Sequence, residues 1–137
     1  ESASAAYSYI RSHSKDLGLK SDFYKSIDLH IHVPEGAVPK DGPSAGITMV
    51  TALVSALTKK AVKKNLGMTG EVTLRGRVLE IGGVKEKVIA AHTAGLRVII
   101  HPAANTKDLE KIPSNVRSDL KFYPVKSVDE VLKLALV

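Results

Sequence analysis

The stretch "PKDGPSAGITMVTALVSALT", residues 39–58, decides how the rest of the chain must be organised. A turn rich in proline and glycine delivers one serine, Ser44, into a run made almost wholly of apolar or small residues. From Ser44 to Thr58 that run predicts a helix buried on most sides, because no polar stripe is left to face water. Such a helix needs cover all round, and the flanking sequence supplies it.

Upstream, Ala3, Ala6, Tyr7 and Ile10 recur at helical spacing and predict an amphipathic helix over 2–16, stopped at Gly18. "IDLHIHV", 27–33, alternates and predicts a half-buried strand, with Leu29, Ile31 and Val33 on one side and Asp28, His30 and His32 on the other. Downstream, "MTGEVTLRGRVLEI" predicts a hairpin around Arg75–Gly76. "GGVKEKVIAAHTAG" predicts a helix bounded by glycines, "LRVIIHP" a strand, "NTKDLEKIP" a short helix capped by Asn105, and "KFYPV" a strand. "SVDEVLKLAL" predicts a closing helix with Ser127 and Glu130 as a capping box. Helices and strands alternate without repeats or low-complexity linkers. The expected class is therefore α/β (α+β), mixed sheets packed with several helices, in one domain over 1–137.

Composition narrows the function. A chain of 137 residues with 44% hydrophobic residues can bury a core without staples. It has no cysteine, which removes disulfides, thiolate nucleophiles and cysteine–zinc sites, and fits a reducing compartment. No apolar run is long enough to span a bilayer as a helix. The opening "ESASAAYSYIRSHSK" has no charged start leading into an apolar block, unlike a secretory signal. It also lacks an initiator Met, so we expect a piece of a longer polypeptide. The net charge of +6 raises nucleic acid as a partner, but the lysines are scattered and aromatics make up only 4%. With no stacking platform between basic residues, a solvated basic face is the favoured reading.

No GxxxxGK[ST] or GxGxxG pattern is present, so the chain has neither standard means of holding ATP. His30 and His32 lie two apart, as a strand-borne metal pair would, but no third ligand is evident and we assign no metal. Ser44 has two readings. As an N-cap its oxygen would accept from an orphan amide, and local sequence alone favours that role. As a nucleophile it would use the unpaired amides and positive dipole end of the same helix start to hold an oxyanion. "GPSAG" has the form G-x-S-x-G, but it follows a long loop and not the strand of a hydrolase elbow. A nucleophilic serine needs a base, and no histidine has an evident carboxylate partner. A neutral lysine would serve, given burial or positive surroundings. On the helix of "GGVKEKVIAA", Val84, Val88 and Ala91 form an apolar face, with Lys87 beside it and Lys85 on its other flank. Periodicity does not choose between these two lysines.

Three segments in this order, "VPEGAVPKDGPSAG", "MTGEVTLRGRVLEIGGVKEK" and "AAHTAGLRVIIHP", resemble the proteolytic domain of the ATP-dependent Lon proteases. The bacterial type, with its ATPase on the same polypeptide, is the nearest in pattern, and the resemblance runs from "ESA" to "LAL". The resemblance implies a serine–lysine dyad in which Ser44 is the nucleophile and Lys87, the second lysine of "GGVKEK", is the base. It implies a supporting role for Thr69 of "MTGE". It places Asp41 in a loop that switches between active and inactive arrangements, and His30 and His32 near the site. Backbone amides of Gly42 and Ala45 become the candidates for the oxyanion.

The resemblance further implies a serine endopeptidase domain that degrades unfolded or regulatory proteins through an acyl-enzyme. The family works in the cytoplasm, in protein quality control, as a homohexameric ring. No cofactor is expected in this chain. ATP and Mg belong to the family's ATPase module, which this sequence lacks together with the strands that usually precede its first helix. Expected partners are unfolded polypeptides, that ATPase module and further copies of the chain, with no membrane and no nucleic acid. The rival reading is a catalytically inactive assembly or interaction domain on the same fold.

Overall fold

A computed structural model of the chain describes residues 2–32 and 44–137. The apolar run of the opening stretch forms helix α2, Gly46–Thr58, with Ile47, Val50, Thr51, Leu53 and Val54 buried. Thr51 keeps its hydroxyl satisfied inside the core by donating to the Ile47 carbonyl at 2.7 Å. The helix ends where Lys59 turns left-handed at φ 59°.

Helix α1, Ser2–Ser12, buries Ala6, Tyr9 and Ile10. These meet Val50, Leu53 and Val54 of α2 in one apolar cluster that Phe23 also joins. Burying each such aliphatic side chain is worth roughly 1.5–3 kcal/mol. α1 stops short of the expected residue 16, since residues 13–18 form turns in which Leu19 N–H donates to the Ser14 carbonyl at 2.8 Å.

A three-stranded parallel sheet lies in the order β1 (Leu66–Met68), β4 (Val98–Pro102), β5 (Lys121–Val125). Gly67 is opposite Ile99, and Ile100 is opposite Tyr123. Successive β4 residues point to opposite faces. Ile100 enters a cluster with Ile47, Val125, Val131 and Ala135, under α2 and helix α5 (Val128–Ala135). Ile99 enters a different cluster with Val84, Val88, Ile112 and Val116, under helix α3 (Val84–Thr93) and helix α4 (Ser114–Ser118). A sheet covered on both faces explains why "VIIHP" reads as a continuous apolar run. The expected hairpin is present as β2 (Glu71–Val72) and β3 (Val78–Leu79), antiparallel across the Arg75–Gly76 turn. Its upstream end is shorter than the sequence suggests, because Met68 pairs into the parallel sheet as part of β1.

Three local expectations change. Residues 27–32 form no strand, although Ile27, Leu29 and Ile31 do share a groove with Tyr7 and Leu53. The alternation is real, but among the described residues no neighbouring strand pairs with it, and these three side chains stay 38–40% exposed. Val33 lies outside the described residues. Asn105 caps nothing, for it sits inside a 3-10 helix, Ala103–Lys111, whose cap position is Pro102. Ser127 caps α5 as expected, accepting from Glu130 N–H at 3.3 Å. The Glu130 carboxylate, however, accepts from Lys126 N–H at 3.3 Å, one residue before the partner a full capping box would use.

Candidate active site

Ser44 stands just before α2 and is not its cap. The cap position is Ala45, with no side-chain cap bond, so the N-cap reading of Ser44 does not hold. The start of α2 is tied instead to the "MTGE" segment after β1. Gly70 N–H donates to the Ser44 carbonyl at 2.8 Å, and Ile47 N–H returns a bond to the Gly70 carbonyl at 3.1 Å. This close approach needs glycine at position 46, because a Cβ there would lie 2.8 Å from the Val72 amide nitrogen.

Thr69 is 8% exposed, with its N–H bonded to the Ile100 carbonyl at 3.1 Å. Its hydroxyl donates to the Ser44 carbonyl at 3.3 Å. Thr69 acts on the backbone of the serine, because the carbonyl of Ser44 points at the end of β1.

Lys87 lies one turn into α3, and its N–H donates to the Gly83 carbonyl at 3.1 Å. Gly83 takes the cap position with φ 72°, a left-handed conformation that a side chain would strain. Val84 and Val88 are buried as the apolar face requires. Lys87 and Thr69 line one cavity of about 170 Å³, whose remaining walls include Met68, Val88, Ala91 and Leu96. Lys85 faces a separate recess with Glu80, Asp108 and Lys111. The fold thus distinguishes two lysines that helical spacing left equivalent. Lys87 is itself exposed, so the burial expected around its amine is not supplied by the described residues. The positive end of α3 remains close to it.

The cavity runs between β1 and α3, from Thr69 just after the end of β1 to Leu96 in the turn before β4. Its walls are mainly apolar, with the Thr69 hydroxyl and the Lys87 amine as the polar groups among those named. Such a surface can take an apolar side chain and hold a donor and an acceptor beside it. Leu96 and Met68 carried no sequence signal for this role, because their place in the wall follows from strand pairing.

Ala45 is described and half-buried. Asp41 and Gly42 lie outside the described residues. His30 and His32 are exposed, and neither lines the Lys87 cavity. Among the described residues, no group of three or more His, Asp or Glu side chains is arranged to hold a metal ion. Nor is any helix among them long and apolar enough to cross a membrane.

The whole chain, residues 1–137, matches the family model of the Lon protease C-terminal proteolytic domain. It is 65% identical to a "Lon protease" of Brevibacillus choshinensis over 136 residues, which is 99% of this chain and 18% of that protein. It is 64% identical to "Lon protease 1" of Bacillus subtilis strain 168 over 137 residues, all of this chain and 18% of that protein. A "Lon protease" of Dictyoglomus thermophilum is 57% identical over the same 137 residues, 17% of its length. The chain therefore spans less than a fifth of the curated relatives it matches. On the match along its full length, this chain belongs to the Lon protease C-terminal proteolytic domain family.

Proposed function

We propose that the chain is the serine endopeptidase domain of an ATP-dependent protease, cleaving unfolded or regulatory polypeptides through Ser44 and Lys87. The observation that carries this reading is the shared cavity of Lys87 and Thr69, with Thr69 and Gly70 both bonded to the Ser44 carbonyl. Those bonds tie the main chain of the serine to Thr69, which itself lines a mainly apolar recess. In its neutral form the Lys87 amine takes the proton from Ser44 Oγ as that oxygen attacks the scissile carbonyl. The carbonyl becomes a tetrahedral oxyanion, received by backbone amides with Ala45 and Gly42 as candidates. The proton passes to the leaving amine as the C–N bond breaks, giving an ester on Ser44. Water then attacks that ester and loses a proton to Lys87; the ester C–O bond breaks, Ser44 Oγ takes the proton back from Lys87, and the carboxylate product leaves.

ATP and Mg do not fit this chain's own residues, since neither phosphate-binding pattern occurs in it. They belong to an ATPase module on the longer polypeptide, and no step above passes through them. The same reading makes the chain part of a cytoplasmic homohexameric ring that receives substrate from that module. It also gives the chain one domain over 1–137.

The test is cleavage of a flexible fluorogenic peptide, paired with labelling by a fluorophosphonate. Ser44→Ala and Lys87→Ala should each lose at least ~100-fold in kcat, the scale of loss for a nucleophile or its base, with the fold retained. Lys85→Ala should stay within about twofold of the parent, since its side chain faces another recess. Wild-type cleavage by Lys87→Ala would rule out the dyad. Failure of Ser44 to label would favour an inactive assembly domain.

A further inference from the structure

Asn105 is fully buried within the 3-10 helix after β4, well away in sequence from the proposed dyad. Its side chain pairs with both backbone groups of one residue, Ile81. Ile81 N–H donates to Asn105 Oδ1 at 3.0 Å, and Asn105 Nδ2 donates to the Ile81 carbonyl at 2.8 Å. The second hydrogen of Nδ2 goes to Asp108 Oδ2 at 2.8 Å, and Asp108 Oδ1 accepts from Lys111 Nζ at 3.3 Å. Every polar group of the Asn105 side chain therefore has a partner. A carboxamide is the one side-chain group, shared with Gln, that can mimic a peptide edge in this way.

The residue held is the last one before Gly82–Gly83, the two glycines that lead into α3. Two consecutive glycines are the most conformationally permissive link a chain can have, so they cannot by themselves set where a helix begins. Gly83 in turn accepts from Lys87 N–H at 3.1 Å. The link from Asn105 thus runs by hydrogen bonds to Ile81, along the main chain through Gly82 to Gly83, and by a hydrogen bond to the backbone of Lys87. The Asn105 side chain does not line the Lys87 cavity.

We infer that Asn105, backed by Asp108, is a positioning residue that sets the start of α3 and so the reach of Lys87 toward Ser44. The inference rests on the dyad reading above and adds to it the group that places the base. Asn105→Ala leaves both Ile81 groups without their partner. Asn105→Asp keeps the shape and the acceptor but loses the donor and sets a second carboxylate against Asp108. Asp108→Asn keeps an acceptor for Asn105, whereas Asp108→Ala removes it.

The experiment uses the 137-residue chain, with peptide kcat and KM, urea unfolding and amide hydrogen exchange on each variant. Asn105→Ala and Asn105→Asp should lower kcat by ~10- to 100-fold, the usual effect of misplacing a reacting group by a fraction of an ångström to 1 Å. KM should stay within about twofold, so that the loss falls on kcat. Exchange at the Ile81 and Lys87 amides should speed up by at least about tenfold beyond any change in global stability. Asp108→Asn should rescue what Asp108→Ala loses. The inference is overturned if Asn105→Ala keeps parental kcat and parental exchange at Ile81 and Lys87. It is also overturned if its losses follow urea stability alone. Parental cleavage by Lys87→Ala would remove the dyad reading instead, and the exchange arm would still decide whether Asn105 holds the helix start.

Discussion

The hydroxyl of Thr69 donates to the main-chain carbonyl of Ser44 at 3.3 Å, joining the end of β1 to the turn that leads into α2. Gly70 N–H meets the same carbonyl at 2.8 Å, so the serine backbone is held from one side by two donors. Thr69→Val removes one donor and leaves the other, so the stability cost should be modest, about 0.5–1.5 kcal/mol. The effect on chemistry should be larger, since Val cannot restrain the carbonyl. Peptide cleavage should fall ~10-fold in Thr69→Val and recover in Thr69→Ser, which keeps the hydroxyl. Equal rates for Val and Ser at this position would show that the bond does not matter to catalysis.

Gly46→Ala tests how tightly α2 sits on the hairpin. Its new Cβ would meet the Val72 amide nitrogen at 2.8 Å and Val72 Cγ1 at 3.0 Å. Backbone cannot swing aside as a flexible side chain can, so the cost should be about 1–3 kcal/mol in urea unfolding. Ser44 labelling should slow as well, because the strain falls two residues from it. A variant as stable as the parent would mean that the helix start yields freely.

His101 predicts acid sensitivity. It is fully buried on β4, with Nδ1 bonded to the Pro102 carbonyl at 2.8 Å, no partner at Nε2 among the described residues and Phe122 edge-on to its ring. Burial holds its pKa below the ordinary 6.5, partly offset by the Pro102 bond. The unfolded chain therefore takes up the proton first as pH falls. Stability is complete above the ordinary value and declines as pH drops from about 6.5 toward the lowered folded value. The urea midpoint should fall more steeply between pH 6.5 and 5 in the parent than in His101→Leu, even though the Leu variant starts lower. Parallel slopes would remove His101 as the cause.

Peptidase activity should rise toward alkaline pH, because the proposed base must be neutral to accept the Ser44 proton. The dependence should be carried by kcat, measured where chemistry limits turnover. A flat profile from about pH 6 to 9 under that condition would argue against a titrating amine as base.

Much of this architecture was legible along the chain because it depends on local rules. The apolar run of α2, the turn at Arg75–Gly76, the Ser127 cap and the alternating helices and strands all follow from periodicity and turn chemistry. The motifs carrying Ser44, Thr69 and Lys87 were equally legible, and the family follows from them. The strand expected at 27–33 is not formed over its described part, 27–32, for a different reason. Alternation reports which side chains are apolar, whereas a strand also needs a partner for its backbone, and pairing is not local.

The sequence by itself determined the class of fold, the family and which residue types could carry chemistry, because spacing and side-chain identity are properties of the chain. Only the tertiary structure decided that Lys87 and not Lys85 shares a cavity with Thr69, and that Thr69 serves the Ser44 backbone. It also turned Asn105 from an expected helix cap into a buried clamp on Ile81. These outcomes depend on which strand ends and helix starts meet across the sheet. Contacts between residues 24 or 25 positions apart are set by packing, which local pattern does not encode.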